Sequence, residues 1–532
     1  MAPSAQDPPA GSRLARSAGT VGLATMASRV LGLLRDVVYA SLFGAGDQMD
    51  AFRVAFRIPN LVRDLFAEGA MSAAFVPTFT RRLTTEGRET AWRLGNLVIS
   101  MLLVVTGVIA VVGILAAEPL TRLFAGSYAA VPGKLELTVT LTRVMFPFLA
   151  LVAAAVAFMG MLNSLRHFFV PALSPAMFNV GAIAAAFLFV PIMPPLGWPP
   201  MMGLALGTLL GGVLQAGIQW PALHREGFRF RFELKPSDPG MREVLRLMIP
   251  GTVGLAAVQI NVFVNTVLAT SQGTGAVSWL DYAFRLMYLP IGVFGVSIAT
   301  AALPTIATFA ARDDLGGVRQ TVSSGLRMML MLNVPATVGL IALAAPIVGL
   351  IYERGRFNPA DTSATAAALM CYAPGLVGYS AVKIVSPTFY ALRDSRTPVM
   401  VSMASVVANI VLNVTFVRVL GYRGLALGTA LAALLNAALL MGLLRNRIGG
   451  LDGKRVTIAL VKILAASCVM AVAAAGTEHA ARLLWPGVTL LPRLVHVLTG
   501  IAAGVVTLVA VAKLLRMEEF DQAVGAALRK GR

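Results

Sequence analysis

The chain is short of charge. Only 13% of its 532 residues are Asp, Glu, Lys or Arg, against 57% hydrophobic ones, where soluble domains carry about 25% charged residues. Cysteine is nearly absent: Cys371 and Cys468 both fall inside apolar runs, which excludes a disulfide framework or a cysteine metal cluster. The four histidines, His167, His224, His479 and His496, are scattered without ligand spacing, so no metal or cofactor is expected. Acidic residues are also scarce, and the formal net charge is +19. In a soluble protein that excess would point to nucleic acid. Here no nucleic-acid partner is expected, because Lys and Arg serve to retain cytoplasmic loops beside apolar spans.

What the chain does have is long apolar runs. Mean hydropathy is +0.77, and segments of roughly 20 apolar residues recur from end to end, each able to cross a hydrocarbon core of about 30 Å. The runs are continuous rather than alternating, which excludes a β-barrel. The expected fold is therefore all-α and polytopic. Fourteen spans are predicted, near 17–43, 51–80, 92–117, 136–163, 168–193, 199–223, 243–270, 276–310, 322–352, 364–392, 397–419, 422–444, 456–476 and 491–515. Residues 1–12 are polar and Pro-containing, and no small-residue cleavage site follows a short apolar core, which argues against a signal peptide.

Loop charge sets the orientation. "RRLTTEGRE", "HREGFRFRFELK", "ARDDLGGVR", "LRDSR", "RNRIGGLDGKR" and the tail "LRKGR" fall on one side, while "GAGDQ", "PPLGWPP" and "SQGTG" on the other hold no Lys or Arg. The outer exceptions include Arg122, Lys134, Arg354, Arg356, Arg423, Arg482 and Arg493. Excess basic residues mark cytoplasmic loops, so both termini are expected inside.

The sequence also repeats itself. Pro77, Pro119, Pro132, Pro147 and Pro171 recur as Pro304, Pro346, Pro359, Pro374 and Pro398, always 227 residues later. At average proline usage about one such coincidence would arise by chance. "GTVGLA" occurs at 19–24 and again at 251–256. Spans 1–6 and 7–12 thus read as two copies of a six-helix lobe. Six is an even number, so both copies enter the membrane in the same direction, which implies a pseudo-two-fold along its normal and a substrate path between the lobes. The expected organisation is an N-terminal tail (1–16), an N-lobe (17–223), a cytoplasmic linker (224–242), a C-lobe (243–444), two additional spans (445–515) and a C-terminal tail (516–532).

The few charges are concentrated. Spans 1 and 2 carry Arg29, Arg35, Asp36, Arg53, Arg57, Arg63, Asp64 and Glu68. A centrally placed Arg or Asp costs about 2.5–3.5 kcal/mol against lipid, so this set must face water or itself. Arg29 and Asp36, seven apart, lie about 20° from eclipsed on a helix, and Arg57, Asp64 and Glu68 share a stripe. Five arginines to three acids leave a surplus of guanidinium, whose planar fork suits phosphate. The second lobe is poorer in charge. Span 7 offers Asn261 and Asn265, span 8 offers Asp281 and Arg285, and span 10 offers Lys383. Arg285 is a candidate phosphate ligand. Lys383 is either a second such ligand or a cation satisfied by helix-end carbonyls.

The stretches "SRVLGLLRD", "FGAGDQMDAFRVAFRIPNLVRDLFAEGAMSAAFVP", "VSWLDYAFRLMYLPIGVFGVS", "ALPTIA" and "YERGRF" resemble the MurJ/MviN family, lipid II flippases of the multidrug/oligosaccharidyl-lipid/polysaccharide exporter superfamily. The resemblance implies a transporter of the inner membrane rather than an enzyme. It would move the undecaprenyl-pyrophosphate-linked peptidoglycan precursor to the periplasmic leaflet by alternating access, for cell-wall synthesis, with spans 13 and 14 forming a groove for the lipid tail. Its partners would be lipid II, membrane phospholipids and other cell-wall synthesis proteins. By the same resemblance the important cavity charges are Arg29, Arg35, Asp50, Arg63, Glu68 and Arg285, with Arg35 and Arg285 on the pyrophosphate and Arg63 and Glu68 near a gate. Asp36, Arg57, Asp64 and Asp281 are left as gate or structural ion pairs. Two departures stand out: Asp64 follows Arg63 where many relatives have a second basic residue, and Asn265 stands where some members use an Asp for sodium. Coupling to membrane potential or to an ion gradient is left open.

The competing readings are separable. A drug-cation exporter would favour an acidic cavity. An enzyme on polyprenyl phosphates would need clustered carboxylates, whereas Asp36, Asp64 and Glu68 are interleaved with arginines. An exporter of another polyprenyl-pyrophosphate-linked saccharide shares the chemistry and differs only in the motifs.

Overall fold

The computed structural model describes residues 10–64, 70–521 and 525, with the side chains of 10–20, 70–73, 249–255, 293, 294, 296 and 297 left aside. Among the described residues there is no strand. Packing divides the chain into two compact units, residues 1–274 and 275–532.

The first unit runs α1 (Ala10–Phe43), α2 (Asp47–Arg63), α3 (Ala70–Thr85), α4 (Arg88–Leu115), α5 (Ala117–Ala125), α6 (Lys134–Met145), α7 (Phe148–Ser164), α8 (Phe169–Leu188), α9 (Met202–Gly217), α10 (Trp220–Arg225) and α11 (Pro239–Thr270). The second runs α12 (Ala276–Pro290), a π-helical turn (Ile291–Gly295), α13 (Val296–Ala311), α14 (Leu315–Ala342), α15 (Ala344–Tyr352), α16 (Pro359–Tyr372), α17 (Gly375–Ala391), α18 (Arg396–Leu420), α19 (Tyr422–Arg447), α20 (Gly453–Leu484) and α21 (Leu490–Leu514).

The 227-residue period reappears in the helix boundaries. Helix α4 ends at Leu115 and α14 at Ala342; α4 starts at Arg88 and α14 at Leu315. The break between α6 and α7 falls at Pro147, and that between α16 and α17 at its partner Pro374. A proline removes the backbone N–H that would continue the helix and clashes with the preceding turn. The second of these breaks bends the helix pair by 42°. Helix starts are fixed locally. Asp238 caps α11 by accepting from the Gly240 and Met241 amides at 2.9 and 3.3 Å, and Asn358 forms a capping box with Asp361 at the head of α16.

Among the described residues nine helices are long and apolar enough to cross a membrane, and ten if the bent pair α16–α17 counts as one. The chain is a multi-pass α-helical membrane protein, but this count stops short of the fourteen expected spans. The four expected spans outside it are the first, second, seventh and eighth, the same two positions in each repeat. Span 1 is a long helix diluted by charge. Span 2 is divided into α2 and α3 around residues that lie outside the described set. In spans 7 and 8 the side chains left aside, 249–255 and 293, 294, 296 and 297, interrupt the run, so that the shorter apolar helices Ala256–Thr270 and Ile298–Ala311 stand there among the described residues.

Packing also assigns α11 to the first unit, although the repeat makes it the first helix of the second copy. Arg81 pairs with Glu243, Arg82 donates to Asp238 at 3.1 Å, Arg57 donates to Thr266 Oγ1 at 3.2 Å, and Thr270 donates to the Phe124 carbonyl at 3.1 Å. In the second unit, α20 and α21 build onto the core through Ile463, Ala466 and Ala512, clustered with Met329, Leu330 and Val334 of α14. The two cross closely at small residues. A Cβ on Gly500 would stand 3.0 Å from the Ala474 carbonyl oxygen, the kind of approach that lets dispersion hold helices together in lipid. Val461, Val472, Val505 and Val506 on the same helices are exposed, as a lipid-facing surface requires.

Candidate functional site

The charges of the first unit sort into three kinds. The first kind pairs with its own sequence neighbour. On α1, Arg35 grips Asp36 through Nη2 at 2.9 Å and Nε at 3.2 Å, and Asp36 is 2% exposed. The Arg35 guanidinium also lies 5.7 Å from the Tyr39 ring and 5.8 Å from the Phe178 ring on α8, so it is held between two aromatic faces. At the end of α2, Arg63 grips Asp64 in the same way, at 2.7 and 3.0 Å, with about a quarter of each side chain exposed. Adjacent helical residues point about 100° apart and do not normally face each other. The long guanidinium nevertheless curls back in both "LLRD" and "LVRD", because in a medium of low dielectric the nearest carboxylate is worth reaching.

The second kind spans helices. Arg57 reaches Thr266 on α11. Asp50 is fully buried and accepts from Lys134 Nζ at 3.1 Å, and the same ammonium donates to Asp47 at 2.7 Å and lies 4.1 Å from the Tyr128 ring centroid. Asp47 also accepts from Thr274, its own partner in the 227-residue repeat. Burial alone would raise the Asp47 carboxyl, but the bonds from Lys134 and Thr274 outweigh it and hold the group below its usual range. The sequence reading counted Lys134 as a modest outer-loop charge. The structure buries it to 3% exposure at the head of α6. The available signal was the pair Asp47 and Asp50, three residues apart on the first turn of α2, which shows one face two carboxylates in need of a cation.

The third kind, among the described charges of α1 and α2, is Arg29. Arg29 is half-buried a little past the middle of α1, and no hydrogen bond or ion pair reaches it among the described residues. Glu68, the remaining acid of the cluster, lies outside the described residues. On α11, Asn261 keeps a buried Oδ1 without a hydrogen-bond partner among the described residues, while Asn265, half-buried as well, is engaged.

In the second unit, Asp281 and Arg285 sit one turn apart on α12, both half-buried and both engaged. Lys383 lies midway along α17, is exposed, and makes no hydrogen bond or ion pair among the described residues, so no helix-end carbonyl satisfies it. Four aromatic rings join α12 to α16 and α17. Phe284 stacks on Tyr288 at 5.6 Å and meets Tyr372 edge-on at 5.4 Å, and Tyr379 lies 6.5 Å from both Phe284 and Tyr288. Sequence reasoning missed this cluster because its two halves lie far apart in the chain.

The family model described as lipid II flippase MurJ matches residues 39–496. A probable lipid II flippase MurJ of Vibrio cholerae is 36% identical over 435 residues, covering 80% of this chain and 82% of the relative. The lipid II flippase MurJ of Burkholderia cenocepacia is 35% identical over 438 residues, covering 82% and 84%. A solved structure of lipid II flippase MurJ in an inward closed conformation aligns with a TM-score of 0.76 at 25% identity, over 93% of this chain and 99% of that one. An inward-facing multidrug resistance MATE family transporter aligns at 0.66 with 19% identity, a likeness of fold alone.

Proposed function

We propose that this chain, which belongs to the lipid II flippase MurJ family, translocates lipid II from the cytoplasmic to the periplasmic leaflet by alternating access. One observation supports it beyond the family: Arg29 holds a guanidinium without a partner among the described residues, well inside α1. A buried charge is tolerated when something of opposite sign reaches it, and an arginine fork left open matches the oxygens of a pyrophosphate. Arg35 and Arg63 carry the same chemistry but already neutralise Asp36 and Asp64. Arg29 is therefore the first contact for the pyrophosphate, with Arg35, on the same helix, completing its recognition while the prenyl tail stays in lipid.

The remaining parts of the reading follow from charge. Both termini face the cytoplasm of a bacterial inner membrane, because the basic loops lie on that side. Membrane potential acts on the cationic site with roughly 2.3 kcal/mol per charge per 100 mV, which makes potential the natural coupling source. Asn265 in place of an acid disfavours sodium. Phospholipids and other cell-wall synthesis proteins are the further partners.

The test is complementation of a flippase-depleted bacterium, read by labelling lipid II in the outer leaflet. The wild-type chain should restore labelling, and Arg29→Ala should lose most of it. Because no described residue pairs with Arg29, that variant should unfold at the wild-type midpoint. Failure of the wild-type chain to restore labelling refutes the function. Normal labelling with Arg29→Ala refutes the assignment of Arg29.

A further inference from the structure

The aromatic cluster of the second unit is unlike ordinary core packing in four respects. Tyr288 is 38% exposed although its ring stacks on Phe284. The phenol hydroxyls of Tyr288 and Tyr379 have no hydrogen-bond partner among the described residues, whereas a tyrosine that packs into a core usually satisfies its O–H. The cluster sits immediately before Pro290 and the π-helical turn Ile291–Gly295, an irregularity that recurs at functional sites. Finally, it is flanked by cations. Arg285 lies about 60° from Tyr288 around α12, and Lys383 about 40° from Tyr379 around α17.

Those cations decide what the rings face. Lys383 is exposed midway along a membrane helix and has no partner among the described residues. Turned to lipid it would cost about 2.5–3.5 kcal/mol, so the α17 face that carries Lys383 and Tyr379 is turned to water or to a polar ligand. Tyr379 and Tyr288 are 6.5 Å apart, which puts the open α12 face on the same side. A surface of the exposed Tyr288 and the half-buried Tyr379, backed by Phe284 and Tyr372 and edged by Arg285 and Lys383, has the composition of a ligand subsite: aromatic lining with a few placed polar groups.

We propose that Tyr288 and Tyr379 form a stacking platform for the saccharide of the cargo and so determine specificity for a glycosylated over a bare polyprenyl pyrophosphate. The inference rests on the lipid II reading. One face of a pyranose ring is a patch of C–H bonds with partial positive charge, and the face of an aromatic ring is the negative lobe of its quadrupole. The sugar hydroxyls then remain free for the two phenols and for the cations at the edge. A bare pyrophosphate has nothing to lay on such a surface.

The experiment uses the full-length protein in nanodiscs and two probes that share lipid and pyrophosphate, lipid II and undecaprenyl pyrophosphate. The wild-type chain should bind lipid II more tightly. Tyr288→Ala and Tyr379→Ala should each weaken lipid II binding roughly tenfold, the equivalent of about 1.4 kcal/mol, and leave undecaprenyl pyrophosphate unchanged. Tyr288→Phe and Tyr379→Phe keep the ring and should retain most of the preference, with unfolding midpoints reporting intact folding. Equal weakening of both probes, or none, overturns the platform while leaving pyrophosphate recognition intact. A wild-type chain that binds neither probe overturns the lipid II reading and the platform with it.

Discussion

Lys134→Met isolates the buried charge network at the head of α2. Its ammonium is 2% exposed and contacts two carboxylates of very different character. Asp47 keeps 43% of its side chain in solvent, so its share resembles a surface pair worth about 0–1 kcal/mol. Asp50 is fully buried, and removing the Lys134 ammonium breaks a buried ion pair from one side, a change that costs about 3–5 kcal/mol. The expected order of unfolding midpoints in detergent is therefore wild type, Asp47→Asn close behind, and Lys134→Met far below. The double variant Lys134→Met with Asp50→Leu should regain most of the loss, because replacing both members of a buried pair with apolar residues is often neutral. The same series asks what Asp50 is for. If its carboxylate serves the Lys134 contact, the double variant recovers transport along with stability. A Lys134→Met midpoint within the range of Asp47→Asn, or a double variant as unstable as the single one, refutes the reasoning.

Two further predictions concern packing and pH. A Cβ on Gly378 would stand 2.6 Å from the carbonyl carbon and oxygen of Ala433 on α19, contacts with backbone that no rotamer relieves. Gly378→Ala should cost roughly 1–3 kcal/mol, whereas Gly442→Ala, with nothing within 4 Å, should be neutral or stabilising, as unfolding midpoints will show. Asp394 accepts from the Thr397 amide and hydroxyl and from Arg447 and the Arg396 amide, which together hold its carboxyl below the ordinary aspartate value of 3.8. A depressed folded value stabilises above the unfolded value and is lost as pH falls through the folded one. The midpoint should therefore show no Asp394 contribution to any change between about pH 5 and pH 8, and an acid limb below about 3.8 that Asp394→Asn reduces. An unchanged acid limb in that variant counts against the assignment.

Much of the fold was legible because it rests on local signals. The paired prolines Pro147 and Pro374 mark helix breaks wherever they occur, and a constant spacing between such marks is visible without any three-dimensional information. The site was legible only in part. Charge in an apolar run announces that a face is wet, which singled out Arg29, Arg35 and Arg63. It does not announce which carboxylate each arginine takes. Helical geometry favoured Arg29 with Asp36, seven residues on, yet Asp36 is taken by its neighbour Arg35, since a long guanidinium is not bound by the direction of its own Cβ. Lys134 was misplaced for a related reason. Counting basic residues by side of the membrane gives a loop its location but not a side chain its depth, and the carboxylates that draw Lys134 inward lie far away in sequence, at Asp47 and Asp50.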